Sequence, residues 1–166
     1  RWPALRHCTA SPATSSSRNV DTRYTTAAVG STLSAGSALT INAGKNLSVV
    51  SGQLNSGKDM SLTAGNDLAL SSQQSGTHDY IRNTESHRSG AERTTVSSGG
   101  KLTLVAGQDI TSQATALVAE DDIGLKAGRD INLNAEEFRS GNSERGSRKT
   151  IVNETVRQQG SEIVSG

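Results

Sequence analysis

Aliphatic and polar residues alternate in short bursts along this chain, as in Leu39-Thr40-Ile41 and Leu102-Thr103-Leu104. A period of two marks a strand with one buried face. A helix would need spacings of three and four, and it would not tolerate glycine at every eighth position. The bursts sit inside an octapeptide, small-Gly-x-x-aliphatic-x-aliphatic-x. Its copies occupy residues 35–42, 43–50, 56–63, 64–71, 98–105, 106–113, 119–126 and 127–134. Glu120 stands where one copy expects glycine, and Ser112 replaces one second aliphatic.

The octads come in adjacent pairs, and pairs recur 21 residues apart, as from 35 to 56 and from 98 to 119. A link carrying one aliphatic precedes each pair, giving the series Leu33, Leu54, Val96, Leu117 and Ile163. The spacing predicts an all-β solenoid, a parallel β-helix of 21-residue coils with three short strands each. Coils would stack about 4.8 Å apart through parallel hydrogen bonds. The expected interior is Leu33, Leu39, Ile41, Leu47, Val49, Leu54, Met60, Leu62, Leu68, Leu70, Val96, Leu102, Leu104, Ile110, Leu117, Ile123, Leu125, Ile131 and Leu133. The corner glycines fit either a bend with unusual backbone angles or close packing of the next coil.

Two polar stretches, residues 72–95 and 135–162, break the rhythm. Their charge and Gly/Ser content read as solvated loops. Thr- and Val-rich runs such as residues 149–156 support the alternative of projecting β-hairpins. Leu33 to Val96 spans 63 residues and Val96 to Ile163 spans 67, which makes two modules of two coils plus one excursion. Residues 23–29 read as the end of an earlier excursion. The expected organisation is a non-repeat junction or disordered segment at 1–22, then a repeat region at 23–166 with coils at 31–71 and 96–134.

Composition sharpens this picture. Only 2% of residues are aromatic, and Trp2, Tyr24, Tyr80 and Phe138 all lie outside the octads, as a narrow aliphatic interior requires. Seventeen basic residues against 16 acidic leave a net charge of +1, which argues against nucleic acid as a partner. A single cysteine, Cys8, offers neither an internal disulfide nor a zinc pair. No apolar run approaches the ~18 residues of a transmembrane segment, and residues 1–19 lack the apolar stretch of a signal peptide. An Arg at the start and a repeat running to Gly166 are expected of a fragment of a longer polypeptide.

Candidate chemistry is sparse. Asp59, Asp67, Asp109, Asp122 and Asp130 recur at the fourth octad position, with Asn46 equivalent. Periodic aspartate could signal calcium, but the period is eight and the GGxGxD string is missing, which favours turn capping and side-chain ladders. His78 and His87 lack the partners of a metal site. No nucleophile–base constellation stands out, so neither an enzyme nor a cofactor is expected. The candidate contact residues are Tyr80, Arg82, Phe138, Arg139, Arg145 and Arg148, because aromatic and arginine side chains dominate interface energetics. The simpler reading makes them exposed loop residues.

AGKNLSVVSGQLNSGKDMSLTAGNDLALSS, followed by THDYIRNTES, resembles the hemagglutinin repeats of filamentous hemagglutinin-type exoproteins. That group includes the contact-dependent growth inhibition exoproteins of Gram-negative bacteria. The resemblance implies a right-handed parallel β-helix filament, exported by two-partner secretion through an outer-membrane transporter and displayed on the bacterial surface. It further implies adhesion to a receptor or glycan on host or neighbouring cells. The expected function is the shaft of such an adhesin. The alternatives are a receptor- or carbohydrate-binding module acting through the excursions, and the delivery stalk of a contact-dependent toxin.

Overall fold

The computed structural model describes residues 21–145 and 149–166, and its regular structure is all strand. The expectations for the 1–22 segment, for Trp2 and Cys8, and for Arg148 fall wholly or largely outside the described residues. Contacts divide the chain into two compact units. One unit takes residues 28–73, 91–137 and 158–166. The other takes the excursions at 74–90 and 138–157, together with the segment ending at Ala27.

The chain opens with β1 (Thr22–Thr26). The first coil follows as β2 (Thr32–Ala35), β3 (Leu39–Ala43) and β4 (Leu47–Val50), the second as β5 (Gln53–Ser56), β6 (Met60–Ala64) and β7 (Leu68–Ser71). The first excursion is β8 (Gln73–Ile81) and β9 (Thr84–Glu92). Next come β10 (Thr95–Ser98), β11 (Leu102–Ala106) and β12 (Ile110–Gln113), then β13 (Ala116–Ala119), β14 (Ile123–Ala127) and β15 (Ile131–Asn134). The second excursion is β16 (Glu136–Arg145) and β17 (Thr150–Gln159), and β18 (Glu162–Ser165) begins another coil.

Twelve of these strands and β18 build a solenoid of three parallel sheets, ordered β2-β5-β10-β13-β18, β3-β6-β11-β14 and β4-β7-β12-β15. Equivalent aliphatics meet in register, as in Leu33–Leu54–Val96–Leu117–Ile163 and Leu39–Met60–Leu102–Ile123. The interior of the middle coils is closed: Leu54, Met60, Leu62, Leu68, Leu70, Val96, Leu102, Leu104, Ile110 and Leu117 are all buried. Leu39, Ile41, Leu47 and Val49 on the first coil, and Ile123 and Leu125 on the fourth, are half-buried against that cluster. Leu33, Ile131 and Leu133 depart from expectation, being 44%, 43% and 49% exposed. They keep the inward register, but among the described residues β2 and β15 are the end strands of their sheets. A side chain in an end strand has a neighbouring coil on one side only.

No glycine among the described residues has a positive φ, so the corners do not select glycine for its backbone freedom. Close stacking selects it. A Cβ on Gly107 would overlap the Gly65 carbonyl oxygen, and one on Gly128 would overlap that of Gly107. The small residue at the start of the octad points inward in the middle coils: Ala64 and Ala106, each before a corner glycine, and Ala119, before Glu120, are buried core residues that the pattern of large aliphatics leaves unmarked. Where that residue is serine, the corner carbonyls accept its hydroxyl: Ser56 Oγ and Ser98 Oγ each donate to Lys58 O at 2.8 Å. Glu120 occupies a corner as an exposed residue.

The excursions are β-hairpins rather than loops. They form one antiparallel sheet of order β1-β8-β9-β16-β17. Hydrophobic alternation does not announce these strands, because none of their side chains is fully buried apart from Glu136 at the start of β16. Each strand instead satisfies its backbone N–H and C=O groups on a neighbour, which needs no apolar face.

Candidate contact surface

Register places the hairpin side chains. β1 pairs with β8 so that Tyr24 faces His78 and Arg23 faces Asp79. Arg23 Nε donates to Asp79 Oδ1 at 2.6 Å, and this bond together with the charge attraction raises the guanidinium pKa above its usual value. The Tyr24 and His78 rings lie tilted with centroids 6.5 Å apart. His78 Nε2 also lies 2.8 Å from Glu85 Oε1 on β9. β9 in turn pairs with β16, setting His87 opposite Gly141 and Arg88 opposite Ser140. Gly141 leaves room for the His87 ring: a Cβ there would sit 3.1 Å from His87 Cε1 and 2.5 Å from the Asn153 carbonyl oxygen.

The five candidate contact residues that lie among the described residues do not gather. Tyr80 and Arg82 lie at the turn end of β8, and the Arg145 N–H donates to Asn83 O at 2.9 Å beside that turn. Arg82 forms the turn with φ 56°, a left-handed conformation that a non-glycine residue adopts at a cost. Phe138 and Arg139 start at the other end of β16, roughly 20 Å away at 3.3 Å per residue. Arg139 is held by the Ser89 hydroxyl, which accepts its N–H at 2.7 Å and donates to its carbonyl at 2.9 Å. The Arg139 guanidinium reaches Glu154 Oε1 at 3.5 Å.

The sheet assembles a different surface, which the sequence reading missed. Thr77, Asp79, Ser86, His87, Arg88, Ser140, Gly141, Asn142, Asn153 and Thr155 line an open depression of about 460 Å³. Its lining is hydroxyls, amides and charges. Asp79 is engaged by Arg23, whereas Arg88 has no carboxylate within ion-pair distance among the described residues. Residues two apart on four strands supply most of the lining, so only knowledge of the hairpin register would have brought them together.

On the solenoid, three of the five periodic aspartates and Asn46 serve the stack. Asp67 Oδ1 accepts the Asp109 N–H at 3.4 Å, Asp109 Oδ1 accepts the Asp130 N–H at 3.2 Å, and Asn46 Oδ1 accepts the Asp67 N–H at 3.4 Å. Asp59 Oδ1 accepts the Lys101 N–H at 2.9 Å. Each carboxylate thereby fastens the corner of the next coil. Flanking cations offset the stacked charge, with Arg129 Nη2 2.8 Å from Asp109 Oδ2 and Lys101 Nζ 3.1 Å from Asp122 Oδ2.

Comparison with known proteins agrees with this geometry. The hemagglutinin repeat matches at residues 11–86 and again at 76–165. A tRNA nuclease CdiA from Escherichia coli (strain STEC_O31) is 46% identical over 76 residues, which are 46% of this chain and 2% of that protein. The chain thus spans a very small part of the curated relative it matches. No solved structure matches. With two family matches covering most of its length and the corresponding repeats stacked in register, the chain belongs to the hemagglutinin-repeat family, of the filamentous hemagglutinin and contact-dependent inhibition type.

Proposed function

We propose that this chain is a length of shaft in a secreted, surface-displayed filamentous adhesin, where its work is to span distance and stay stiff. The observation that carries this reading is the unbroken register of the three parallel sheets, in which residues 21, 42 or, across the second excursion, 46 positions apart oppose one another. Nearest-neighbour stacking of this kind makes stability and length additive in coils. The carboxylates of Asp59, Asp67 and Asp109 are taken up by backbone N–H groups of the stack, which supports a structural role for them. The nuclease activity named for the CdiA relative is not assigned to this segment. An outer-membrane transporter and a distal toxin belong to the same proposal at the level of the whole protein.

The test is removal of one module. Joining Thr32 to Val96 deletes 63 residues while keeping every inward position in phase. A shaft should tolerate this in the parent protein, with adhesion or delivery retained and the filament shorter by two coils, roughly 10 Å. Loss of adhesion from a protein that still folds and reaches the surface would contradict it.

A second reading has its own support. Arg88, which has no ion-pair partner among the described residues and is set among hydroxyls and amides, suits a polar, hydrogen-bonding ligand such as a cell-surface glycan. Arg88→Ala should then lower glycan-array or cell binding at unchanged thermal stability. Equal binding by the variant would dismiss this reading.

A further inference from the structure

The hairpin sheet repeats internally, and its register repeats with it. Thr22 on β1 opposes Tyr80, and Glu85 on β9 opposes Ser143; both members of the second pair lie 63 residues beyond those of the first. Thus β1 and β9 are equivalent strands, each accepting the first strand of the following hairpin, and β8 and β16 are equivalent donors. The solenoid register identifies the third acceptor. Val96 stacks on Leu117 and Leu117 on Ile163, so Ile163 is the counterpart of Val96, 67 positions on. The same step carries β9 onto β17, from Glu92 to Gln159. β8 and β9 have nine residues each and β16 and β17 ten each, so two of the four additional residues of the second module lengthen its strands and two fall between them, which leaves the acceptor strand in phase.

Nothing pairs with the outer edge of β17 among the described residues, where β17 is the last strand of its sheet. Nine of its ten residues are exposed, Val152 by 66% and Val156 by 49%. It carries no proline that would blunt an edge. We infer that residues 151–156 of β17 form a docking edge for one antiparallel strand, the first strand of an excursion hairpin from another module of this repeat. The reason is continuity with pairings already made: β1 takes β8 and β9 takes β16 in one register, and β17 presents the same positions empty. Each module adds two strands to this sheet and two to each parallel sheet, so a chain can extend both ladders without changing register. Backbone hydrogen bonds would supply the affinity, and alternate side chains the specificity, as in strand addition generally.

Hydrogen exchange on the full chain tests this, with a synthetic peptide of residues 73–92 as the probe. Alternate backbone amides within 151–156 should exchange at least about tenfold more slowly at saturating peptide. A scrambled peptide should give no protection, nor should the same peptide N-methylated along one edge of its first strand. Protection elsewhere than β17, or none up to millimolar peptide, would overturn the inference. So would protection of β17 that rises with protein concentration in the absence of peptide, because a second folded copy keeps β8 and β16 paired on both sides and offers only an edge strand, β1 or β17, among the described residues. The readout needs no substitution in the protein, so misfolding cannot imitate a negative result.

Discussion

Thr94 donates a 2.6 Å hydrogen bond from its hydroxyl to the carbonyl of Ser71, closing the gap left where the first hairpin departs from the solenoid. Ser71 ends β7, and its carbonyl also accepts the Ser51 N–H at 2.9 Å. Thr94 is fully buried, and its Oγ1 accepts the Gly52 N–H at 3.2 Å. The second excursion repeats the device with Ser161, whose hydroxyl donates to Asn134 O at 3.2 Å. Uninterrupted coils turn the same corner with a left-handed residue, Ser51 at φ 49° or Ala114 at φ 48°. The solenoid thus has two ways around one corner, and the hydroxyl version allows a hairpin to leave and return.

Thr94→Val should therefore cost about 1–3 kcal/mol, since it preserves shape while leaving a buried N–H without its acceptor. Urea denaturation measures it. Thr103→Val, on an exposed outward position of β11, should stay within about 0.5 kcal/mol of the parent.

Position along the stack should grade the core. Leu62 is fully buried between neighbouring coils, so Leu62→Ala should lose about 2–5 kcal/mol. Leu133 occupies a comparable inward position but is 49% exposed, so Leu133→Ala should lose under about 1 kcal/mol. Equal losses in thermal denaturation would show that the end coils are covered in solution.

Glycines separate in the same way. Gly107→Ala forces a methyl into the Gly65 carbonyl and should destabilise by about 1–3 kcal/mol or more. Gly124 lies within β14 with nothing within 4 Å of its would-be Cβ. Gly124→Ala should be neutral or raise stability by about 0.5 kcal/mol, because alanine loses less chain entropy in a strand.

Arg82→Gly should stabilise the first hairpin by about 1 kcal/mol, by relieving the left-handed strain at φ 56°. The gain should appear as slower amide exchange in β8 and β9. No gain would mean that the arginine side chain contributes an interaction of its own at the turn.

Lys101 sets a small alkaline dependence. Its hydrogen bond to Asp122, aided by charge attraction, raises its pKa above the ordinary 10.5. A raised folded-state value means the contribution is complete below the unfolded pKa and fades as pH climbs through the folded one. The pair is exposed, so the effect is slight. Lys101→Met should be marginally less stable than the parent at pH 7, and the difference should vanish once the pH has climbed through the raised folded-state pKa of Lys101.

Much of the solenoid could be read from the chain. The octad spacing marked every strand of the four coils, because a repeating strand with one buried face must repeat its aliphatics. The same logic named Leu62 and Leu104 as interior residues. It could not separate them from Leu133, because burial depends on whether another coil lies on the far side. It also passed over Ala64 and Ala106, since small apolar residues carry little signal. The excursions were legible only in part: the Thr- and Val-rich run at 149–156 pointed to a hairpin and lies largely in β17, while polar content favoured loops. Their strands are fixed by backbone pairing with one another, so β8 and β16 resemble polar loops until β1 and β9 are seen beside them.

The sequence by itself determined the 21-residue coil, its three faces and the places where the rhythm breaks, because stacking identical coils demands a periodic interior. Only the tertiary structure decided what the corner glycines are for, how a departing chain is stitched at Thr94, and that the excursions form a register-repeating sheet. These depend on approaches between backbones 20 or more residues apart, and a pattern of side chains does not record where a carbonyl oxygen will lie.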